Sequence, residues 1–184
     1  MKMGLIIIDI QKDYFKGGKN ELHEPEKAAE NARLALDFFR RKGLPVYHVQ
    51  HISTRKGANF FLPDTEGAEI HDTVHPMGGE KVFVKHTPNS FFDTGLADEL
   101  TGKNIEHIVI CGMMSHMCVD TTVRAANSLG IPTTVLHDAC ATKDLVWEKD
   151  LIPASVVHGT FMASLQNVFA KVISTAEFLK QVQE

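Results

Sequence analysis

Apolar residues along this chain switch between two spacings, and the switching predicts most of the fold. Residues 3–8 are a continuous apolar run closed by Asp9, the pattern of a strand covered on both faces. Glu24, Pro25 and Glu26 then open a helix, with proline in its first turn and acids at the positive end of its dipole. Ala28, Ala32, Ala35, Leu36 and Phe39 form the apolar stripe of that helix, and Arg40, Arg41 and Lys42 before Gly43 close it. Residues 45–52 predict a second strand. Residues 53–79 have little periodicity and carry six Gly or Pro residues, which predicts a long loop serving as lid or wall. A third strand follows over residues 81–84, ending at Lys85. Phe91 and Phe92 fall in the next loop, ahead of a short helix over residues 94–100.

The richest stretch is 105–130. Its first seven residues are apolar and β-branched, predicting a buried strand that Gly112 ends. From about His116 the period becomes helical: Val119, Val123, Ala126 and Leu129 precede Gly130, a C-terminal stop signal. Cys118 therefore falls in the first turn of a helix that follows a buried strand. Residues 133–136 predict a fifth strand with His137, Asp138, Ala139 and Cys140 as its exit. A helix over 153–167, a sixth strand over 171–173 and a terminal helix over 175–183, capped by Ser174, complete the chain. Strands alternate with helices throughout. The expected class is α/β: one domain over residues 1–184, with a six-stranded, mostly parallel sheet and helices on both faces.

Composition narrows the function. With 184 residues, 43% hydrophobic and 23% charged, the chain suits one soluble domain. A formal net charge of -4 argues against sequence-independent binding of nucleic acid or acidic membrane. No apolar run reaches the length of a membrane span, and Asp9 interrupts the first one too early for a signal peptide. Cys111, Cys118 and Cys140 form no disulfide framework or Cys-x-x-Cys pair, so a reduced, cytoplasmic setting is expected.

Three reactive residues fall at strand ends. Asp9 follows the first strand, Lys85 ends the third and Cys118 lies just past the fourth. In an open parallel sheet these positions share one rim, where ligands bind. Singly, each has an ordinary reading: a ribose- or metal-binding acid, a solvated lysine, a buried structural thiol. Together they are nucleophile, base and cation, the parts of covalent catalysis. Unperturbed Asp and Cys differ by about 4.6 pK units, so moving the thiol proton to the acid costs about 6 kcal/mol. Lys85 and the helix start are expected to narrow that gap by lowering the thiol's pKa. The spacings of His48 with His51, and of His71 with His75, also raise a metal reading. Cys111 and Cys140 read as structural thiols.

Asp9 with Gln11 and Asp13, Lys85, and the run Gly112-Met113-Met114-Ser115-His116-Met117-Cys118-Val119 resemble the isochorismatase-like cysteine hydrolases. These include isochorismatases, nicotinamidases, carbamoyl-amidohydrolases and streptothricin hydrolase-like amidases. Glu69-Ile70-His71 and the run from His137 to Thr142 are similar to family sequence as well. The resemblance implies a six-stranded parallel sheet and a catalytic triad of Asp9, Lys85 and Cys118. It further implies a cis peptide between Met113 and Met114, with the N–H groups of Met114 and Cys118 as oxyanion hole. Tyr14 and Phe92 resemble pocket walls or belong to the core, and Met113, Met114 and Met117 line an apolar pocket or simply pack. Glu69 selects a cationic or amide group or is a solvated loop acid. The Asp-x-His metal pair of nicotinamidases is replaced by His51 and Ser53, so neither a metal nor another cofactor is expected. The implied activity is hydrolysis of a C–N bond in a small amide or carbamoyl compound through a thioester, by a homodimer or homotetramer. The alternatives are an isochorismatase-type vinyl-ether hydrolase and a catalytically silent small-molecule-binding protein. A haloacid dehalogenase-type phosphotransferase would need a second Asp where Gln11 stands.

Overall fold

Strand β1 (Met3–Ile8) divides its side chains between two cores, and the molecule is layered around it. The structure, a computed structural model, describes residues 2–182. Leu5 and Ile7 face one layer, packed with Ala28, Ala32, Leu36 and Phe39 of α1 (Pro25–Arg41) and with Phe178 of α5 (Thr175–Gln181). Ile6 and Ile8 face the other, with α2 (Leu96–Gly102), α3 (Asp120–Ser128) and α4 (Ala154–Leu165). This is the period-2 alternation of a strand buried on both sides. The remaining strands are β2 (Val46–His51), β3 (Lys81–Lys85), β4 (His107–Met113), β5 (Thr133–Ala141), a hairpin of β6 (Leu145–Trp147) and β7 (Asp150–Ile152), and β8 (Lys171–Ile173).

Six strands pair in the order β3-β2-β1-β4-β5-β8, all parallel. The chain first winds outward from β1 to β3 and then returns to β4 on β1's other side. The crevice at this reversal lies beyond the carboxyl ends of β1 and β4. The single-domain α/β architecture expected from the sequence is the one observed. Ser174 caps α5 as expected, its Oγ accepting from Glu177 N; the predicted end of that helix at Gln183 lies outside the described residues. No helix among the described residues is long and apolar enough to cross a membrane.

Three expectations are corrected. Gly112 does not end β4, which continues to Met113. A Cβ at Gly112 would lie 2.1 Å from the Ile8 carbonyl oxygen, and its φ is 137°. Glycine is what lets the strand run on against β1 at that point. Second, β5 is nine residues long and passes through His137 to Ala141 instead of exiting at Leu136; a register shift opposite Ile110 and Gly112 absorbs the extra length. Third, Cys118 sits in a π-helical turn, Ser115–Val119, and regular α-helix begins only at Asp120. The β6–β7 hairpin was not legible, because three-residue strands joined through Glu148 and Lys149 carry no glycine turn signal.

The long 53–79 segment is a fixed wall, not a loose lid. Asp13 is buried and accepts from Phe61 N (2.7 Å) and Lys19 N (3.1 Å). Ile70 bridges to Gln11, and His71 N donates to the Ile10 carbonyl at 2.8 Å.

The far end of the wall is held by charge. Arg40 grips both oxygens of Glu80 at 2.7 and 2.9 Å, and Glu80 Oε2 also lies 2.8 Å from His48 Nε2. Burial opposes ionisation of Glu80, but Arg40, the Met77 N–H and His48 outweigh it and bring its pKa from 4.5 down to about 2. A depressed carboxylate stabilises the fold above its unfolded pKa and loses that contribution as pH falls toward the folded value. Glu80→Gln is therefore expected to cost about 1–2 kcal/mol at pH 7, from a charge-assisted pair. The difference from the parent should shrink as urea titrations are taken from pH 4.5 toward pH 2; a gap independent of pH contradicts this account.

Candidate active site

The reversal crevice collects residues from four segments. Asp9 leaves β1 in a left-handed backbone conformation, φ 50°, while its N–H still pairs with the Val49 carbonyl at 3.0 Å. That conformation is costly for a residue with a side chain and is found where the surroundings enforce it. Lys85 ends the edge strand β3, yet it is 1% exposed. A buried lysine needs acceptors. Its Nζ finds Asp9 Oδ2 at 2.6 Å, His51 Nδ1 at 2.9 Å, the Thr87 carbonyl at 3.1 Å and Cys118 Sγ at 3.3 Å. The loop after Lys85 is tied to the helix after Cys118. Ser90 N and Oγ bond Thr122 Oγ1 at 3.1 and 2.8 Å, fixing amine and sulfur relative to one another.

Asp9 is fully buried and its carboxylate also bonds the Cys118 thiol, so the acid stands in direct reach of the sulfur's proton. Burial pushes the Cys118 thiol up, the Asp9 carboxylate adds to the push, and Lys85 only partly pulls it back. This corrects the expectation of a lowered thiol pKa: complete desolvation next to an anion outweighs one ammonium. Burial works against the Lys85 charge, but the Asp9 carboxylate overcomes it and holds the lysine's pKa above the usual value. The resting site is thus an ammonium–carboxylate pair beside a neutral thiol.

The other predicted residues are distributed unevenly. The Met113–Met114 peptide is cis, and both methionines are buried. Tyr14 is buried with its ring edge on Phe61, centroids 4.6 Å apart. Burial, Cys118 and Asp9 raise its hydroxyl's pKa well above the usual value, and the Phe61 ring it packs on lies 6.0 Å from the His51 imidazole. Met117 and Phe92 are exposed. Glu69 is a surface acid paired with Lys12 Nζ at 2.7 Å. Cys111 and Cys140 are buried, the latter bonding the Leu136 carbonyl.

Two site residues went unrecognised. The sequence points to His51 only as a metal ligand, whereas it contacts Lys85; burial and Lys85 bring its pKa down to about 4, so its imidazole is neutral. Gln11 lies fully buried and clamps His51, accepting from its N–H at 2.7 Å and donating to its carbonyl at 2.9 Å. The lateral register of β2 on β3, His51 opposite Lys85, was the signal that could have found it. The histidine pairs do not converge on a metal: His48 turns to Glu80, and His71 stacks on Phe15 at 3.7 Å. Asp9, His51 and Cys118 have donor atoms within 4.8 Å of one another, an oxygen–nitrogen–sulfur set that could hold a cation. The Lys85 ammonium already contacts all three, so a metal ion there would have to displace it.

A cavity of about 270 Å³ between α1, β5 and α4 backs the nucleophile turn without reaching Cys118. Its lining residues Thr142 and His158 bond His116 Nδ1 (2.5 Å) and Ser115 Oγ (2.8 Å), bracing the turn from behind.

Comparison with known proteins assigns the fold to a family. The chain is 52% identical over 180 residues to the isochorismatase family protein YddQ of Bacillus subtilis (strain 168), covering 98% of this chain and all of that one. It is 31% identical over 155 residues to a streptothricin hydrolase of Streptomyces noursei, covering 83% of this chain and 55% of that one. A crystal structure of an isochorismatase from Pseudomonas putida KT2440 superposes with a TM-score of 0.89 at 37% identity, covering 95% and 89% of the two chains. The Isochorismatase domain model matches residues 3–177, the whole sheet and every residue of the buried trio, and the chain therefore belongs to the isochorismatase family of hydrolases.

Proposed function

We propose that this protein hydrolyses a C–N bond of a small amide or carbamoyl compound through a thioester on Cys118. The observation that carries the reading is the single buried ammonium within 2.6 Å of Asp9 and 3.3 Å of Cys118. While Asp9 is ionised, its charge opposes ionisation of the thiol. Once Asp9 has taken the thiol proton, that opposition vanishes and Lys85 is left facing a thiolate. The unfavourable transfer is thereby turned into the exchange of one ion pair for another.

The steps follow from the positions. Asp9 removes the Sγ proton as sulfur bonds the substrate carbonyl carbon, and the carbonyl π electrons move to oxygen. The N–H groups of Met114 and Cys118 hold that oxyanion in this reading. Asp9 returns the proton to the departing nitrogen, the C–N bond breaks and an amine leaves. Water then attacks the thioester with Asp9 as base, releasing the acid and restoring the thiol. Neither a metal nor another cofactor takes part. Tyr14, packed on Phe61, is a pocket wall in this reading. A homodimer or homotetramer belongs to the same reading, since Val146, Trp147, Leu151 and Val156 expose apolar area on the hairpin and α4 that a neighbouring copy would cover.

Ammonia release across a panel of primary amides, ureides and carbamoyl compounds tests the proposal, with isochorismate and p-nitrophenyl phosphate run alongside. Amide turnover accompanied by an acyl adduct on Cys118 in quenched samples is the expected result. Isochorismate cleavage without any adduct points to vinyl-ether hydrolysis, and silence across the panel to a binding protein.

A further inference from the structure

An ammonium has three N–H groups, and Lys85 has four acceptors in reach. Two of them are fixed by the sheet. The Thr87 carbonyl belongs to Lys85's own strand exit, and His51 lies opposite Lys85 in the β2–β3 register. The backbone of His51 is locked by the Gln11 amide, whose Nε2 also donates to the Ala68 carbonyl at 2.8 Å. An ammonium can only donate, so the Nδ1 atom that it meets must be bare and the imidazole proton must sit on Nε2. Burial and the charge of Lys85, with His86 adding, keep the ring neutral against the pull of Asp9; Cys118 and Tyr14 are the other titratable groups at the site.

We infer that His51 is a positioning residue: with the Thr87 carbonyl it holds two of the three Lys85 N–H groups, leaving a single one to pass from Asp9 to sulfur. The inference rests on the covalent reading above. It explains how a fixed amine serves two anions in turn. As the thiol proton moves to Asp9, the free N–H swings from carboxylate to thiolate while Nζ stays in place. Without the imidazole, the ammonium is free to settle onto Asp9. That tightens the pair which keeps the carboxylate from accepting a proton, and sulfur loses its donor.

The test is the rate at which iodoacetamide labels Cys118 at pH 7, resolved from Cys111 and Cys140 by peptide mass spectrometry. His51→Leu removes the acceptor and is expected to slow labelling about tenfold, the scale of one charge-assisted hydrogen bond. His51→Asn presents a carbonyl oxygen near the Nδ1 position and is expected to stay within about twofold of the parent. Equal rates in the two variants, fast or slow, overturn the inference, because a space-filling role does not distinguish them. Histidine-selective ¹⁵N NMR on the unaltered protein gives an independent reading. His51 should show the Nε2–H tautomer from pH 6 to 8, and a protonated Nδ1 overturns the inference whatever the labelling shows. The covalent reading fails on a different observable, turnover by Cys118→Ala, so the two failures are separable.

Discussion

Cys118→Ala is expected to lower turnover by at least about 10⁴-fold, the scale seen when a covalent nucleophile is removed. No other group in the crevice can replace it. Asp9 is engaged with Lys85, Cys111 is sealed in the core, Cys140 lines the separate cavity between α1, β5 and α4, and the Ser115 hydroxyl is bonded to His158. The fold should survive, because the change removes one sulfur from a site otherwise held by the sheet; a loss of about 1 kcal/mol in urea unfolding is expected. The variant should also show no acyl adduct in quenched reactions. Turnover near the parental rate removes the thioester from the mechanism outright.

Lys85→Met has the second large effect, and it falls on stability as well as on chemistry. Methionine fills most of the lysine's volume but leaves the Asp9 carboxylate buried without its counter-ion. Stranding a buried charge costs about 3–5 kcal/mol. Asp9→Asn combined with Lys85→Met should recover much of that loss, since the double variant buries no unpaired charge, and a double-mutant cycle in urea reads the coupling directly. The partners hold the Lys85 pKa above 10.5 in the folded protein. The part of this stability that depends on the charge of Lys85 is therefore complete below about pH 10.5 and declines as pH rises through the folded value. A cost below 1 kcal/mol in the single variant means that water reaches the site and the pair is not shielded. Turnover should be lost in both variants.

The chain's periodicity made the layers legible, and its strand ends made the trio legible. Each of Asp9, Lys85 and Cys118 follows a run whose apolar pattern announces a strand, and parallel strands bring such positions to one rim. What was not legible depends on distance across the sheet. The role of His51 is set by a lateral register, and that of Gln11 by a side chain imitating a neighbouring backbone; neither leaves a mark in linear spacing. The thiol's pKa was misjudged for a related reason. A position at a helix start is visible in sequence, but the completeness of burial beside an anion is not. Gly112 misled as well, because a glycine that stops a strand and one that lets two strands touch look alike in a single sequence.

Asp13 holds the wall of the crevice by two backbone amides, those of Phe61 and Lys19, and by the tight approach of Gly67. The anchor does not depend on which side chains the stretches on either side of Phe61 carry, apart from their glycines. Those stretches can diverge without disturbing the reacting atoms. Descendants of this scaffold would then be expected to change what they accept at the wall while keeping the same bond-breaking apparatus beneath it.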